Sequence, residues 1–256
     1  MPFPLAHPAA VLPFRRCSIR YLNFVALVIG AITPDLSYCL EKYDVDILAH
    51  SIRGFFLFSL PVGWVLIGVF YALGEPIVDA LPAPHRQALL PVCRAPSQLW
   101  LAVPLSLLIG SGTHVFWDSF THETGWFVER SSFLQMKLFS HDGHSFRVYR
   151  LLWHLSTWVG LFLLYRVYAS VLKKSPGAAN SLCAAERRRY ALWAGLLFVP
   201  LVGAVFTALV YYADKASSIT TVPRVLRLAA ILYLLAMTAL LVTLGTALRM
   251  KRRWSG

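Results

Sequence analysis

Long apolar runs recur along the chain, near residues 54–73, 98–118, 149–172, 190–212 and 225–248, separated by short polar or basic stretches. Each is close to the roughly 20 apolar residues that a helix needs to cross the hydrocarbon core of a bilayer. A sixth run, near 21–34, is shorter. The pattern predicts an all-α, polytopic membrane helix bundle: five long spanning helices preceded by a short N-terminal helical hairpin. The hairpin arms are "LAHPAAVLPF" and "RYLNFVALVIGAI", with "RRCS" at the tip. Each arm spans only about 15–20 Å if helical. Pro8 suits a first helical turn and Pro13 a helix end. No small-x-small cleavage motif follows the second arm, so the segment reads as part of the fold and not as a signal peptide. The expected domains are a membrane core at 1–172 and, at 173–256, a C-terminal two-helix membrane hairpin with a basic tail.

Composition agrees with the periodicity. Of 256 residues, 57% are hydrophobic and only 14% charged, against roughly a quarter charged in soluble domains. The cysteines Cys17, Cys39, Cys93 and Cys183 are scattered without a C-x-x-C pair, which implies neither a disulfide framework nor a thiolate metal site. A Gly-rich phosphate loop, a G-x-S-x-G elbow and internal repeats are all absent.

The net charge of +12 would suit nucleic acid, but its distribution does not. If the 21–34 run ends on one face of the membrane and the later helices alternate, the whole excess falls on the opposite face. That face receives Arg86, Arg94, Lys173, Lys174, the "RRR" at 187–189 and the "RMKRR" at 249–253, while basic and acidic residues cancel on the first. Cytoplasmic loops carry excess Lys and Arg, so the basic face is cytoplasmic. Its loops and tail fit anionic lipid headgroups, and membrane lipids are the expected partners, with no role for nucleic acid.

The other face holds the unusual residues. His7, Asp35, His50, His114, Asp118, His122, His141, His144 and His154 all fall at or near it, leaving only His85 on the basic side. In a helix, residues four apart share a face. His114 and Asp118 therefore project together from the outer end of the 98–118 run, and His122 extends the stripe if the helix continues. An imidazole and a carboxylate at this spacing can hold one divalent ion. Asp35 follows "ITP", where proline stops a helix, and His50 opens "HSIRG" before the 54–73 run. His154 lies about two turns inside the 149–172 run. Ionisable groups in spanning segments usually face the protein interior and have partners. Metal binding, a proton or ion pathway, and structural polar packing are all open to such a set. Gly110 and Gly112 suit close helix approach. "SHDGHSFR", residues 140–147, reads as a loop carrying His141 and His144. Trp, Phe and Tyr around His114 to His154 suit the lipid–water boundary.

The stretches "MPFPLAHPAAVLPFRR", "LVIGAITPDLSY", "HSIRG", "GTHVFWDSFTHETGWF" and "YRLLWHLS" closely resemble a bacterial membrane-protein family, the domain-of-unknown-function family four-one-eight-four. The resemblance is dense from residue 1 to about 160. That family is in turn distantly similar to inner-membrane metal-dependent hydrolases. These show an early His, a Pro-Asp-x-Asp turn, a His-Arg-x-x-x-His-Ser stretch and a Gly-x-x-x-His-x-x-x-Asp helix. His7, Asp35, His50, Ser51, Gly110, His114 and Asp118 match those motifs. Ser37 stands where the second Asp of the turn would be, and the first His and Arg of the His-Ser stretch are missing. A looser similarity runs to zinc-dependent phospholipases C.

The resulting expectation is an integral membrane metal-dependent hydrolase of the bacterial inner membrane, multi-pass, with its site facing the extracytoplasmic side. Asp35, His50, His114 and Asp118 are the expected metal ligands; His7, His122 and His154 are the expected catalytic groups; Ser51, His141 and His144 are the expected substrate contacts. A mixed nitrogen and oxygen set suits zinc first, with manganese or iron as alternatives. The expected substrate is a lipid or lipid-linked ester, a phosphoester above all. The alternative is a non-enzymatic membrane protein, a transporter or metal-binding scaffold. The last two helices carry no Asp, Glu, Lys, Arg or His between Tyr190 and Tyr212 or between Leu228 and Leu248, which is unlike a carrier with midplane sites in two repeats.

Overall fold

The computed structural model describes the chain except residues 1–2, 16–20, 41, 95–100, 142–143, 176–182, 214–220 and 255–256. Among the described residues the architecture is helical apart from one hairpin. The chain begins with a 3-10 segment, Pro4–Arg15. Pro8 and Pro13 lie inside it, and their missing N–H groups and the clash of their rings with the preceding turn disfavour an α-helical ladder. The expected first arm is thus a 3-10 helix, and the expected basic tip lies outside the described residues. The second arm is α1, Phe24–Ile32, whose first turn is capped by the Asn23 side chain accepting from the Ala26 N–H. Val11 of the first arm and Leu22, Leu27 and Ala31 of the second form a buried apolar cluster. A second 3-10 segment, Thr33–Leu40, continues from α1.

Next come α2, Tyr43–Ala49, and α3, Ile52–Asp79, followed in the chain by α4, Ala83–Cys93. The third apolar run forms α5, Ala102–Thr121. Two short helices, α6 (Trp126–Arg130) and α7 (Ser132–Gln135), lead into β1, Lys137–His141, and β2, His144–Arg147. The last three helices are α8, Val148–Lys174, α9, Ala184–Tyr212, and α10, Thr221–Trp254.

Four helices of the described residues are long and apolar enough to cross a membrane: α3, α8, α9 and the Arg224–Trp254 part of α10. The run expected as a further span, α5, is helical over 20 residues. Its hydropathy is diluted by Ser106, Ser111, His114 and Asp118, all on its buried side.

The stretch expected as a loop at 140–147 is an antiparallel pair, with Ser140 opposite Ser145 and His141 opposite His144. Phe139 and Phe146 stack across it, ring centroids 4.8 Å apart. An Asp-Gly pair between two aromatic flanks is a hairpin signal, so the loop expectation is corrected at this point.

The chain divides into two compact units, Met1–Val69 with Ala95–Val171, and Phe70–Arg94 with Leu172–Gly256. The expected partition kept Phe70–Arg94 with the core. Long-range bonds tie that stretch to the C-terminal helices instead. Ala83 donates its N–H to Glu186, Trp193 donates its indole N–H to the Ala80 carbonyl, and Arg252 pairs with Asp79.

Candidate metal centre

The helix α5 carries the centre of the first unit. Positions 102, 106, 110, 114 and 118, four apart, are all buried and wind slowly round one side of the helix. The early part of this stripe packs on α1. Asn23 donates its N–H to Ser106 Oγ at 2.8 Å, and Ser111 Oγ donates to the Gly30 carbonyl at 3.1 Å. The later part presents His114 and Asp118 to the segment that follows α1.

Each imidazole is oriented by a bond on its outer nitrogen. His114 Nδ1 lies 2.8 Å from the Ala31 carbonyl, which can only accept, so Nδ1 carries a proton and Nε2 is the nitrogen left for a metal. His50, which ends α2, places Nδ1 2.9 Å from the Asp46 carbonyl and 3.3 Å from Asp46 Oδ1. Its Nε2 is likewise the nitrogen turned inward, towards Asp35 and Asp118. Such outer bonds fix tautomer and ring orientation at metal sites.

Four atoms then converge. His114 Nε2 is 3.3 Å from Asp35 Oδ1 and 3.2 Å from Asp118 Oδ2. His50 Nε2 is 3.6 Å from the same Asp35 oxygen and 3.8 Å from the same Asp118 oxygen. All four ligand atoms lie within 4.8 Å of one another. A tetrahedral ion with bonds of about 2.0 Å has ligand atoms ~3.3 Å apart. None of the four has a hydrogen-bond partner among the described residues, although Asp35, His114 and Asp118 are buried. Two buried carboxylates and two imidazole nitrogens without such partners are costly. A divalent cation balances both charges and fills all four lone pairs, so the residues fit a metal ion.

The remaining groups fall into place around this set. His7, buried on the N-terminal 3-10 segment, stacks on His114 with centroids 3.8 Å apart. Its Nε2 approaches the other oxygens, Asp118 Oδ1 at 3.5 Å and Asp35 Oδ2 at 3.9 Å. His122 lies one residue past the end of α5, with Nδ1 3.1 Å from the Asp118 carbonyl and Nε2 buried without a partner. Burial, above all, holds this imidazole below its ordinary pKa. The expected helical stripe is therefore cut at Thr121, yet His122 still reaches Asp118 Oδ1 at 3.5 Å.

His154 does not join the four ligands. Its ring stacks at 6.1 Å on Phe146 and meets Trp153 edge-on, and it lines a cavity with His122. Ser51 accepts from the Gly54 N–H and donates to the Leu48 carbonyl, capping the start of α3. The side chains of His141 and His144 lie outside the described residues. Asp46 was missed by sequence reasoning. Its carboxylate accepts from Ser37 Oγ at 2.9 Å, so the Ser in the second Asp position of the turn serves the centre indirectly. The only available signal was that Asp46 and His50 are four apart.

The chain matches the family described as Domain of unknown function (DUF4184) over residues 1–246 and belongs to it. No curated protein and no solved structure matches it. Fold and site together define a protein with membrane-spanning helices and a buried His/Asp cluster able to hold a metal ion.

Two expected results follow. Asp46→Asn weakens metal affinity by roughly ten- to a hundredfold, the usual effect of removing an outer-shell partner; titration with a fluorescent metal competitor measures it. Metal uptake by the stripped protein also depends on pH. Burial works against a charged His50, but Asp35 and the Asp46 carbonyl outweigh it and raise its pKa. The proton must leave before the ion binds. Affinity therefore falls as pH drops, beginning above the ordinary imidazole value of about 6.5, and a pH series of the same titration reads the midpoint.

Proposed function

We propose that this protein is an integral membrane metal-dependent hydrolase, acting on a lipid or lipid-linked ester, in first place a phosphoester, at the outer face of the bacterial cytoplasmic membrane. The observation that supports it is the set of unpartnered, inward-facing ligand atoms on Asp35, His50, His114 and Asp118. In this reading α5 is the fifth span, between α3 and α8, and the basic loops and tail face the cytoplasm and anionic headgroups. Zinc is the favoured ion. Such an ion supplies Lewis acidity towards water and a phosphoryl or acyl oxygen. The chain supplies the rest. His122 Nε2, held below its ordinary pKa, takes a proton; His7 faces the outer oxygens of both carboxylates; His154 stands beside His122 on the wall that meets the substrate's polar group.

Elemental analysis of detergent-purified protein, followed by turnover of phospholipids and polyprenyl phosphates with and without chelator, tests the reading. Stoichiometric metal and chelator-sensitive turnover are expected. Metal without turnover of either class would leave a metal-binding membrane protein with no hydrolase activity.

A further inference from the structure

Two cavities border the metal centre, and they differ in chemistry. The first, of about 150 Å3, has walls of Ala9, Ala10, Val159 and Leu163, with His7 and Trp117 on the side of the centre. An apolar cavity of this size holds a benzene-sized group. It exists because the N-terminal 3-10 segment is held close to α8. Phe3 donates its N–H to Thr157 Oγ1 at 3.1 Å, and Gly160 lies against Ala6, where a Cβ would meet the Ala6 carbonyl at 2.9 Å. Trp117, Val159 and Leu163 keep exposed edges, and α8 is among the helices apolar enough to cross a membrane. The cavity therefore opens to the hydrocarbon.

The second cavity, of about 340 Å3, is lined by His122, Glu123, Tyr149, Arg150 and His154, with Thr121 and Trp153. Arg150 makes no ion pair among the described residues, so its guanidinium is available to an anion. The two cavities lie along the same helices. On α8 the polar one takes positions 149–154 and the apolar one positions 156–163, a displacement of about 12 Å at 1.5 Å per residue. On α5 the polar one is at the helix end and the apolar one a turn further in. The order along the membrane normal is thus that of a lipid, polar group at the rim and chain in the core. Asp118 stands between them, its Oδ1 3.5 Å from His7 of one cavity and 3.5 Å from His122 of the other.

We propose that the two cavities are the two halves of one receptor for a single-chain amphiphile: the alkyl chain lies in the Ala9–Val159 slot, the anionic phosphate head contacts Arg150 and His154, and the bond between them is held at Asp118. The inference rests on the reading of the centre as a metallohydrolase with a lipid substrate and names that substrate's shape and entry. The chain enters sideways from the bilayer. Because the bilayer is as apolar as the slot, the slot contributes register and not affinity; the charged head contributes affinity.

The test uses the full chain in phosphatidylcholine nanodiscs, with hexadecyl phosphate carrying a diazirine near the end of its chain. Photolysis is expected to concentrate adducts at residues 6–10 and 156–163. Ala9→Phe, and independently Val159→Trp, reduce them to the level of the lipid-facing background while metal content stays stoichiometric. Arg150→Gln weakens capture of the phosphate roughly tenfold, the scale of a lost charged hydrogen bond, and leaves capture of a diazirine fatty alcohol unchanged. Glu123→Gln, which removes the acid from the same wall, leaves phosphate capture equal or tighter. Adducts scattered over α9 and α10 and indifferent to Ala9→Phe would overturn the receptor even with metal present. Equal weakening by Glu123→Gln and Arg150→Gln would overturn the anionic head. Localised adducts in a protein that holds no metal would sink the catalytic reading and uphold the receptor.

Discussion

Asp118→Ala is expected to leave the purified protein without stoichiometric metal, and His114→Ala, Asp35→Ala and His50→Ala to do the same. Asp118 is the strongest case because its two oxygens face four imidazoles: His114 and His50 on one, His7 and His122 on the other. Removing a direct ligand lowers affinity by more than the roughly ten- to hundredfold of an outer-shell change. Loss of folding is a separate possibility with a separate reading. Without metal, burial works against a charged His50 but Asp35 raises its pKa, so the carboxylates keep a partner that can carry positive charge. The stripped variant should still melt in one cooperative transition, as the stripped wild type does. Binding stabilises the folded state by about 4 kcal/mol at a free ion concentration a thousandfold above Kd. Metal should raise Tm of the wild type and leave that of Asp118→Ala in place. His154→Ala is the control and should keep both metal and the shift. Stoichiometric metal in Asp118→Ala would remove the centre from consideration.

The ligands were legible because each broke a local rule. A His and an Asp one turn apart inside an apolar run, an Asp after a helix-stopping Pro and a His before another run are all out of place in lipid. Sequence spacing also gave depth, and depth alone suggested that the groups meet. It could not give azimuth. His154 sits at the right level, but α8 is apolar nearly all round, so nothing in its pattern marks the side facing the cluster. Asp46 was hidden for the opposite reason. In "EKYDVDIL" it is one acid of three, ordinary for a surface turn, and only the fold brings Ser37 and His50 to it. The grouping of Phe70–Arg94 with the C-terminal helices rests on contacts between residues more than a hundred positions apart, such as Ala83 with Glu186, which hydropathy does not encode. The hairpin at 137–147 carried a signal in Asp-Gly that the cluster of histidines around it drew attention away from.

Gly30→Ala and Gly110→Ala are expected to abolish tight metal binding without touching a ligand. The sequence offered Gly110 and Gly112 as sites of close helix approach, and the structure separates them. A Cβ on Gly110 would fall on the Leu27 carbonyl oxygen of α1, whereas one on Gly112 meets nothing within 4 Å. The partner of Gly110 is Gly30, where a Cβ would fall on the Leu107 carbonyl oxygen of α5. Both obstacles are backbone, so neither can swing aside, and the two helices must separate. Overpacking of this kind costs about 1–3 kcal/mol. The functional cost is larger, because α1 holds two parts of the centre. Its Ala31 carbonyl sets the His114 tautomer, and Asp35 stands three residues beyond its end. Moving α1 outward displaces both from His114 and Asp118 together, and a metal site tolerates errors of only about 0.2 Å in its bonds. Gly112→Ala should bind metal as the wild type does, with the same Tm. If Gly30→Ala and Gly110→Ala bind metal as tightly as Gly112→Ala, then the close contact of α1 with α5 is not what holds the four ligands in register.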